Sequence, residues 1–228
     1  MPERKRSEIK SSYGTIKYFT QKILRWTYQN PHKYPWRSTR IKFHALIVEI
    51  MLQRTKAEQV IPIYRKFIKA YPSPNRLLAS PLLKIKTIIA PLGLQWRARK
   101  IKELACALVN RYNGKIPMHL DELMALPGVG PYAASAYLSL HNNKRALLID
   151  SNIVRLSGRF FGFRIHAETR RKRTFINLID LITPQHSCRQ FNYAVLDLGR
   201  NICRSKPLCP ICPVYIKCYY YNHRKEQK

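Results

Sequence analysis

Four cysteines, spaced Cys203-x5-Cys209-x2-Cys212-x5-Cys218, crowd into sixteen residues near the end of the chain. The basic N-terminus, MPERKRSEIKSS, has no apolar stretch behind it of the kind an export signal carries, so the spacing suits metal ligation rather than disulfides. An iron–sulfur cluster and a zinc ion are both open readings, although structural zinc usually takes two short Cys-x2-Cys knuckles and only one is present. Cys106 and Cys188 read as ordinary small hydrophobes.

Two carboxylates stand in unusual surroundings. Asp150 lies between an apolar run, residues 146–149, and a helical pattern carrying Ile153, Leu156, Ser157 and Phe160. That is the place of a helix N-cap, and a capping carboxylate is rigid and kept ionised by backbone donors. A rigid negative charge is also what glycosidic cleavage uses, since the sugar turns oxocarbenium-like as its base departs. Glu49 is the one charged residue between Lys42 and Arg54, inside an apolar segment. Burial there costs free energy unless the carboxylate is bonded to a neighbouring Arg or backbone group, or serves a polar pocket. The segment Leu126-Pro127-Gly128-Val129-Gly130-Pro131-Tyr132 is a tight turn between two helical patterns. It is either a plain helix–helix connection or a turn whose backbone approaches a phosphate closely.

The elements that must position these residues are helical. Ile16, Phe19, Ile23 and Trp26 mark a first helix that Asn30-Pro31 ends. Residues 43–53 are apolar on nearly every side, as in a central buried helix. Val60, Tyr64, Phe67, Ile68 and Tyr71 form another stripe. Ile101, Leu104, Ala105, Leu108, Val109 and Tyr112 form a further one, capped by Asn113-Gly114. Phe175 to Ile182 and Phe191 to Ile202 complete the set, and period-two alternation is absent, so the fold class is all-α.

Forty-two Lys and Arg against 12 Asp and Glu give a net charge of +30 in 228 residues, which points to a polyanionic partner, with 14 Tyr and 3 Trp available for stacking on bases. No apolar run reaches the roughly 18 residues of a membrane span, and a cytoplasmic, nucleoid-associated protein is expected.

In order and spacing these pieces resemble the helix-hairpin-helix superfamily of DNA glycosylases, which includes endonuclease III and the adenine and thymine mismatch glycosylases. The carriers, over about residues 14–220, are Pro35-Trp36-Arg37, Glu49 to Thr55, Gly93-Leu94 with Arg97-Ala98, Leu126 to Gly130, Ile149-Asp150-Ser151-Asn152 and the terminal cysteines. The resemblance implies that the turn of Leu126, Gly128, Val129 and Gly130 binds a DNA backbone phosphate and that Asp150 is catalytic. It also implies that Cys203, Cys209, Cys212 and Cys218 hold one 4Fe-4S cluster, zinc being the alternative. Gln53 and Arg54 match the place of a wedge that fills the stack a flipped base leaves. The family's first cysteine interval is one residue longer than the five seen here, a departure in loop geometry.

Two residues past Gly130, endonuclease III-like enzymes carry the lysine that attacks the sugar; here it is Tyr132, which cannot form a Schiff base. Similar thymine mismatch glycosylases have Tyr there and a Glu matching Glu49. Adenine mismatch enzymes share the Glu, generally have Ser at the tyrosine position and add a C-terminal recognition domain, expected to be missing from a chain that stops ten residues after Cys218. The resemblance therefore implies two helical lobes: a six-helix lobe over about residues 38–145, and a cluster lobe from 1–37 plus 146–228, with 1–12 a mobile tail. Asp150, Tyr132 and Glu49 are expected in the cleft between them. The implied activity is monofunctional removal of thymine or uracil opposite guanine, by a monomer acting on double-stranded DNA with a mispaired or damaged base. The competing readings are an adenine mismatch glycosylase, an endonuclease III-like glycosylase/AP lyase using another amine, and a non-catalytic DNA-binding iron–sulfur protein.

Overall fold

The computed structural model describes residues 13–30 and 34–223; the expected tail, residues 1–12, lies outside the described residues. Among the described residues the chain is all-α. In chain order the helices are α1 Tyr13–Gln29, α2 Lys42–Met51, α3 Ala57–Ala70, α4 Pro74–Leu78, α5 Leu82–Ile89 and α6 Trp96–Tyr112. They continue with α7 Leu120–Met124, α8 Pro131–Ala136, α9 Ser151–Phe161, α10 Arg173–Ile182, α11 Cys188–Asn201 and α12 Tyr219–His223. No helix among the described residues is long and apolar enough to cross a membrane.

The chain divides into two compact units, one holding described residues 34–146 and the other 13–30 with 147–223. In the first, every residue of α2 from Phe43 to Met51 is buried, and the helix packs against α3, α6 and α8. Its neighbours meet it with the stripes Val60, Tyr64, Phe67 and Ile101, Leu104, Leu108, all fully buried. Deleting one such side chain, as in Ile47→Ala, costs about 2–5 kcal/mol in a packed core. α6 ends where Asn113, φ 50°, and Gly114, φ 74°, turn into the left-handed region. Seven α-helices, α2 to α8, fall in this unit where six are expected; α4 and α7 have five residues each, too few to show periodicity. Tyr34 to Arg37 also belong here rather than with the cluster unit, because Trp36 is buried, stacked on Tyr34 at 5.1 Å and edge-on to Tyr64 at 5.7 Å.

The second unit centres on Phe19 of α1, whose ring lies 4.6 Å from Phe160, 5.1 Å from Phe161 and 6.4 Å from Phe191. α1 packs on α10 and α11, and Thr20 Oγ1 donates to the Ile182 carbonyl at 3.1 Å. α9 ends at Gly162, φ 73°, where a Cβ would stand 2.8 Å from the Tyr219 ring, so only glycine fits both backbone and space.

Candidate active-site residues and cysteine cluster

Asp150 is the N-cap of α9. Its Oδ1 accepts the Ile153 backbone N–H at 2.8 Å, and its Oδ2 accepts Nδ2 of Asn152 at 2.7 Å. The amide of Asn152 is itself fixed, because its Oδ1 accepts Nη2 of Arg155 at 2.9 Å. Arg155 in turn donates to the carbonyls of Gly199 and Cys203, each at 2.7 Å. A continuous hydrogen-bonded chain thus runs from the Asp150 carboxylate to the backbone of Cys203. Asp150 is partly exposed, so a rigid carboxylate is both capped and reachable.

Glu49 sits on the buried α2, its side chain 3% exposed. The expected Arg or backbone partner is replaced by His141, whose Nε2 lies 2.8 Å from Glu49 Oε1 with equal burial. His141 ends a single π-helical turn, Tyr137–His141, that continues α8. Such turns shift a side chain's direction relative to a plain α-helix and concentrate at functional positions. Sequence reading missed His141: it is 92 residues from Glu49, and no periodicity signals a π turn.

In the hairpin, Leu126 and Val129 are core side chains, each 4% exposed, so only their backbone groups can face a ligand. Gly128 has φ 80° and a Cβ there would lie 3.3 Å from Lys100 Cβ, whereas Gly130 is extended at φ −87° and caps α8. Tyr132 is the second residue of α8 and half-buried. Gln53 reaches the hairpin, its Nε2 donating to the Gly128 carbonyl at 2.9 Å, while Arg54 beside it is exposed with φ 57°.

Cys203, Cys209, Cys212 and Cys218 line one pocket with Leu156, Ile202, Pro207 and Val214, on loops that follow α11. Among the described residues, no group of three or more His, Cys, Asp or Glu converges tightly enough to hold a single metal ion. Burial pushes the Cys212 thiol up to about 12, with repulsion from Cys203, Cys218 and Cys209 adding to it, and Cys218 to about 11 for the same first reason. Four soft donors that repel one another as thiolates in an apolar pocket fit a cationic metal centre, which reverses that repulsion. Arg159 stands beside them, its Nη1 3.6 Å from Cys203 Sγ. Cys188 is buried in α11 and Cys106 lies on the side of α6, both apart from this pocket.

Residues 47–178 match the HhH-GPD superfamily base excision DNA repair protein family. The chain is 38% identical over 216 residues to a thymine/uracil-DNA glycosylase of Pyrobaculum aerophilum, covering 91% of this chain and 93% of the relative. It is 35% identical over 208 residues to a thymine/uracil-DNA glycosylase of Methanothermobacter thermautotrophicus, covering 90% and 94%. An adenine DNA glycosylase of Buchnera aphidicola is 37% identical over 213 residues, which span 92% of this chain and 60% of that one. The fold superposes on a thermostable thymine-DNA glycosylase with a TM-score of 0.85 at 34% identity, covering 91% and 96%. It superposes on endonuclease III in a non-covalent DNA complex with a TM-score of 0.80 at 25% identity, covering 95% and 99%.

Proposed function

The chain belongs to the HhH-GPD superfamily of base excision DNA repair proteins, and we propose that it is a monofunctional DNA glycosylase that hydrolyses the bond between deoxyribose and a thymine or uracil mispaired with guanine. The observation that carries this reading is the capped, partly exposed and hydrogen-bond-fixed carboxylate of Asp150, held by Ile153 N–H and Asn152. A charge held this way needs no reorganisation when the sugar becomes cationic, which is where electrostatic catalysis gains most. Asp150 stabilises that cation and orients water; Glu49 and Tyr132 contact the extruded base. A mispaired base costs less to unstack than a paired one, which favours its selection.

Tyr132 supports hydrolysis over lyase chemistry, since a phenol forms no imine with the sugar. In the turn from Leu126 to Gly130 the N–H groups of Leu126 and Val129 already donate to the Leu123 and Leu126 carbonyls, so the backbone amides of Gly128 and Gly130 hold a phosphate of the duplex, and the +30 charge supplies the sequence-independent part of the affinity. The four thiolates of Cys203, Cys209, Cys212 and Cys218 hold a 4Fe-4S cluster, which supplies a structural clasp for the loops after α11. Zinc is distinguished by colour: the iron protein is brown with broad near-ultraviolet and visible absorption, the zinc protein colourless.

The test is excision from G·T, G·U, A·G and oxidised-pyrimidine duplexes, read with and without alkali. Alkali-dependent breaks confined to G·T and G·U are expected. Excision from A·G alone moves the enzyme to the adenine class, breaks without alkali make it a lyase, and binding without excision on any duplex leaves a non-catalytic DNA-binding protein.

A further inference from the structure

Two neighbouring turns of the 34–146 unit hold non-glycine residues in the left-handed region: Arg54, φ 57°, and Leu94, φ 53°, the latter directly after Gly93 at φ 69°. Such strain persists where surrounding contacts impose it, and it gathers at functional positions. One residue touches both turns. The backbone N–H of Arg97, in the first turn of α6, donates to the Leu94 carbonyl at 2.9 Å. Its Nη2 donates to the Gln53 carbonyl at 2.6 Å and to Thr55 Oγ1 at 3.2 Å, the residues on either side of Arg54.

This guanidinium is 0% exposed, and its Nε and Nη1 have no hydrogen-bond partner among the described residues. Burial draws its pKa below the ordinary arginine value. An apolar side chain of the same length would fill the space at lower cost, so stability alone does not account for a buried cation here. What the cation adds is geometry: it holds the backbone carbonyl before Arg54 and the side-chain hydroxyl after it. Gln53 extends the brace, because its side chain is committed to the Gly128 carbonyl at 2.9 Å. Of the two wedge candidates, Arg54 is therefore the one left exposed and free to probe a duplex, while Gln53 ties its turn to the hairpin.

We propose that Arg97 is a positioning residue for base extrusion: it clamps the turn of Gln53 to Thr55 so that Arg54 is presented, already ordered, to the gap a departing base leaves in the stack. The proposal rests on the glycosylase reading above. Arg97 itself touches no DNA; its effect passes through Arg54.

The experiment compares wild type, Arg97→Met, Arg97→Lys, Arg54→Ala and the Arg97→Met/Arg54→Ala double variant on two substrates. One is uracil in a G·U duplex and the other is the same uracil flanked by unpaired nucleotides, already unstacked. Arg97→Met is expected to lower kcat/KM on the duplex by ~10- to 100-fold and to leave the unstacked substrate within ~3-fold, since misplacement by an ångström costs on that order. Arg97→Lys, which keeps a donor for the Gln53 carbonyl, should fall between, and it carries the same comparison if Arg97→Met does not fold. In the double variant the two losses should not multiply. Equal losses on both substrates, or losses that multiply with Arg54→Ala, reduce Arg97 to a core residue and overturn the proposal. Amide hydrogen exchange at residues 53–55 separates this from the glycosylase reading. A wild type inactive on both substrates sinks that reading, and unchanged exchange in Arg97→Met sinks the clamp whatever the activity.

Discussion

Nε2 of His141 lies 2.8 Å from Oε1 of Glu49, with both side chains 3% exposed, so the buried carboxylate of α2 is satisfied by a residue from the far end of the hairpin's second helix. Removing one partner of such a pair leaves an unmatched buried group, which costs more than the pair itself contributes. His141→Phe should therefore destabilise the protein by roughly 2–4 kcal/mol in denaturant unfolding, whereas adding Glu49→Gln should restore a good part of it. Additive losses in that cycle would mean the two side chains do not act as a unit.

Asp150→Asn tests charge against capping. Asn caps helices about as well as Asp, but both oxygens of Asp150 accept here, from Ile153 N–H and from Asn152, whose amide is fixed by Arg155. Whichever way the new amide turns, an NH2 replaces one acceptor and a hydrogen bond is lost, at about 1 kcal/mol. Excision should fall by ~10²–10³ because the charge proposed to stabilise the sugar cation is gone. Turnover near that of wild type, with this small stability loss, would make Asp150 only a helix cap.

Gly199 in α11 controls the same chain from behind. A Cβ there would lie 2.9 Å from Asn152 Cβ and 3.4 Å from its carbonyl oxygen. Helix propensity alone predicts that Gly199→Ala gains up to ~1 kcal/mol, while overpacking predicts a loss of ~1–3 kcal/mol. Overpacking should win, because the clash is with a side-chain root and backbone, which cannot swing away. We expect lower thermal stability and reduced excision with duplex affinity retained; a stabilised, fully active variant would show that Asn152 moves freely.

Much of this arrangement is legible in the sequence, for local reasons. Asp150 announces itself as a cap because an apolar run stops and a helical stripe starts around it, and Glu49 is conspicuous as a lone charge in α2. What pairs with them is not legible when it depends on tertiary geometry: His141 arrives through a π turn, and Arg97, visible in the sequence only as part of a motif with Ala98, is fully buried against the turn of Gln53 to Thr55. The packing of residues 34–37 is hidden for the same reason, since only the contact of Trp36 with Tyr64 reveals where that segment lies.

His44 gives a pH prediction. It is 5% exposed on α2, and burial lowers its pKa below 6.5, opposed by a hydrogen bond to the Pro72 backbone. Above that value folded and unfolded imidazoles are both neutral and the group has no effect. As the pH falls through 6.5 the unfolded form binds a proton that the folded form resists, so stability drops until the depressed folded value is passed. The urea midpoint of wild type should therefore decline between about pH 7 and 5 more steeply than that of His44→Asn, which does not titrate. Parallel declines would assign the acid sensitivity to other histidines.

Tyr132→Lys should convert hydrolysis into combined base release and strand cleavage. Tyr132 is the second residue of α8, one step beyond the hairpin's closing Pro131, and by the family resemblance it is expected at the place of the endonuclease III-like attacking lysine. An amine in the first turn of a helix meets the positive end of the backbone dipoles and, in a chain of net charge +30, many other cations. Both disfavour the ammonium form and leave more free amine at neutral pH. That amine attacks the sugar C1′ and the base leaves with the bonding electron pair, taking a proton from water; transfer of the amine's proton to the ring oxygen opens the ring to an imine, and loss of a C2′ proton with departure of the 3′ phosphate then breaks the strand. Wild-type product should carry intact abasic sites that break only in alkali. The variant's product should already be nicked, and borohydride should reduce the imine and trap protein on DNA. A wild type that nicks and traps equally well would overturn the monofunctional assignment. A variant that excises bases yet never traps would show that position 132 does not face the sugar, and the correspondence with the lysine enzymes at the hairpin would have to be shifted.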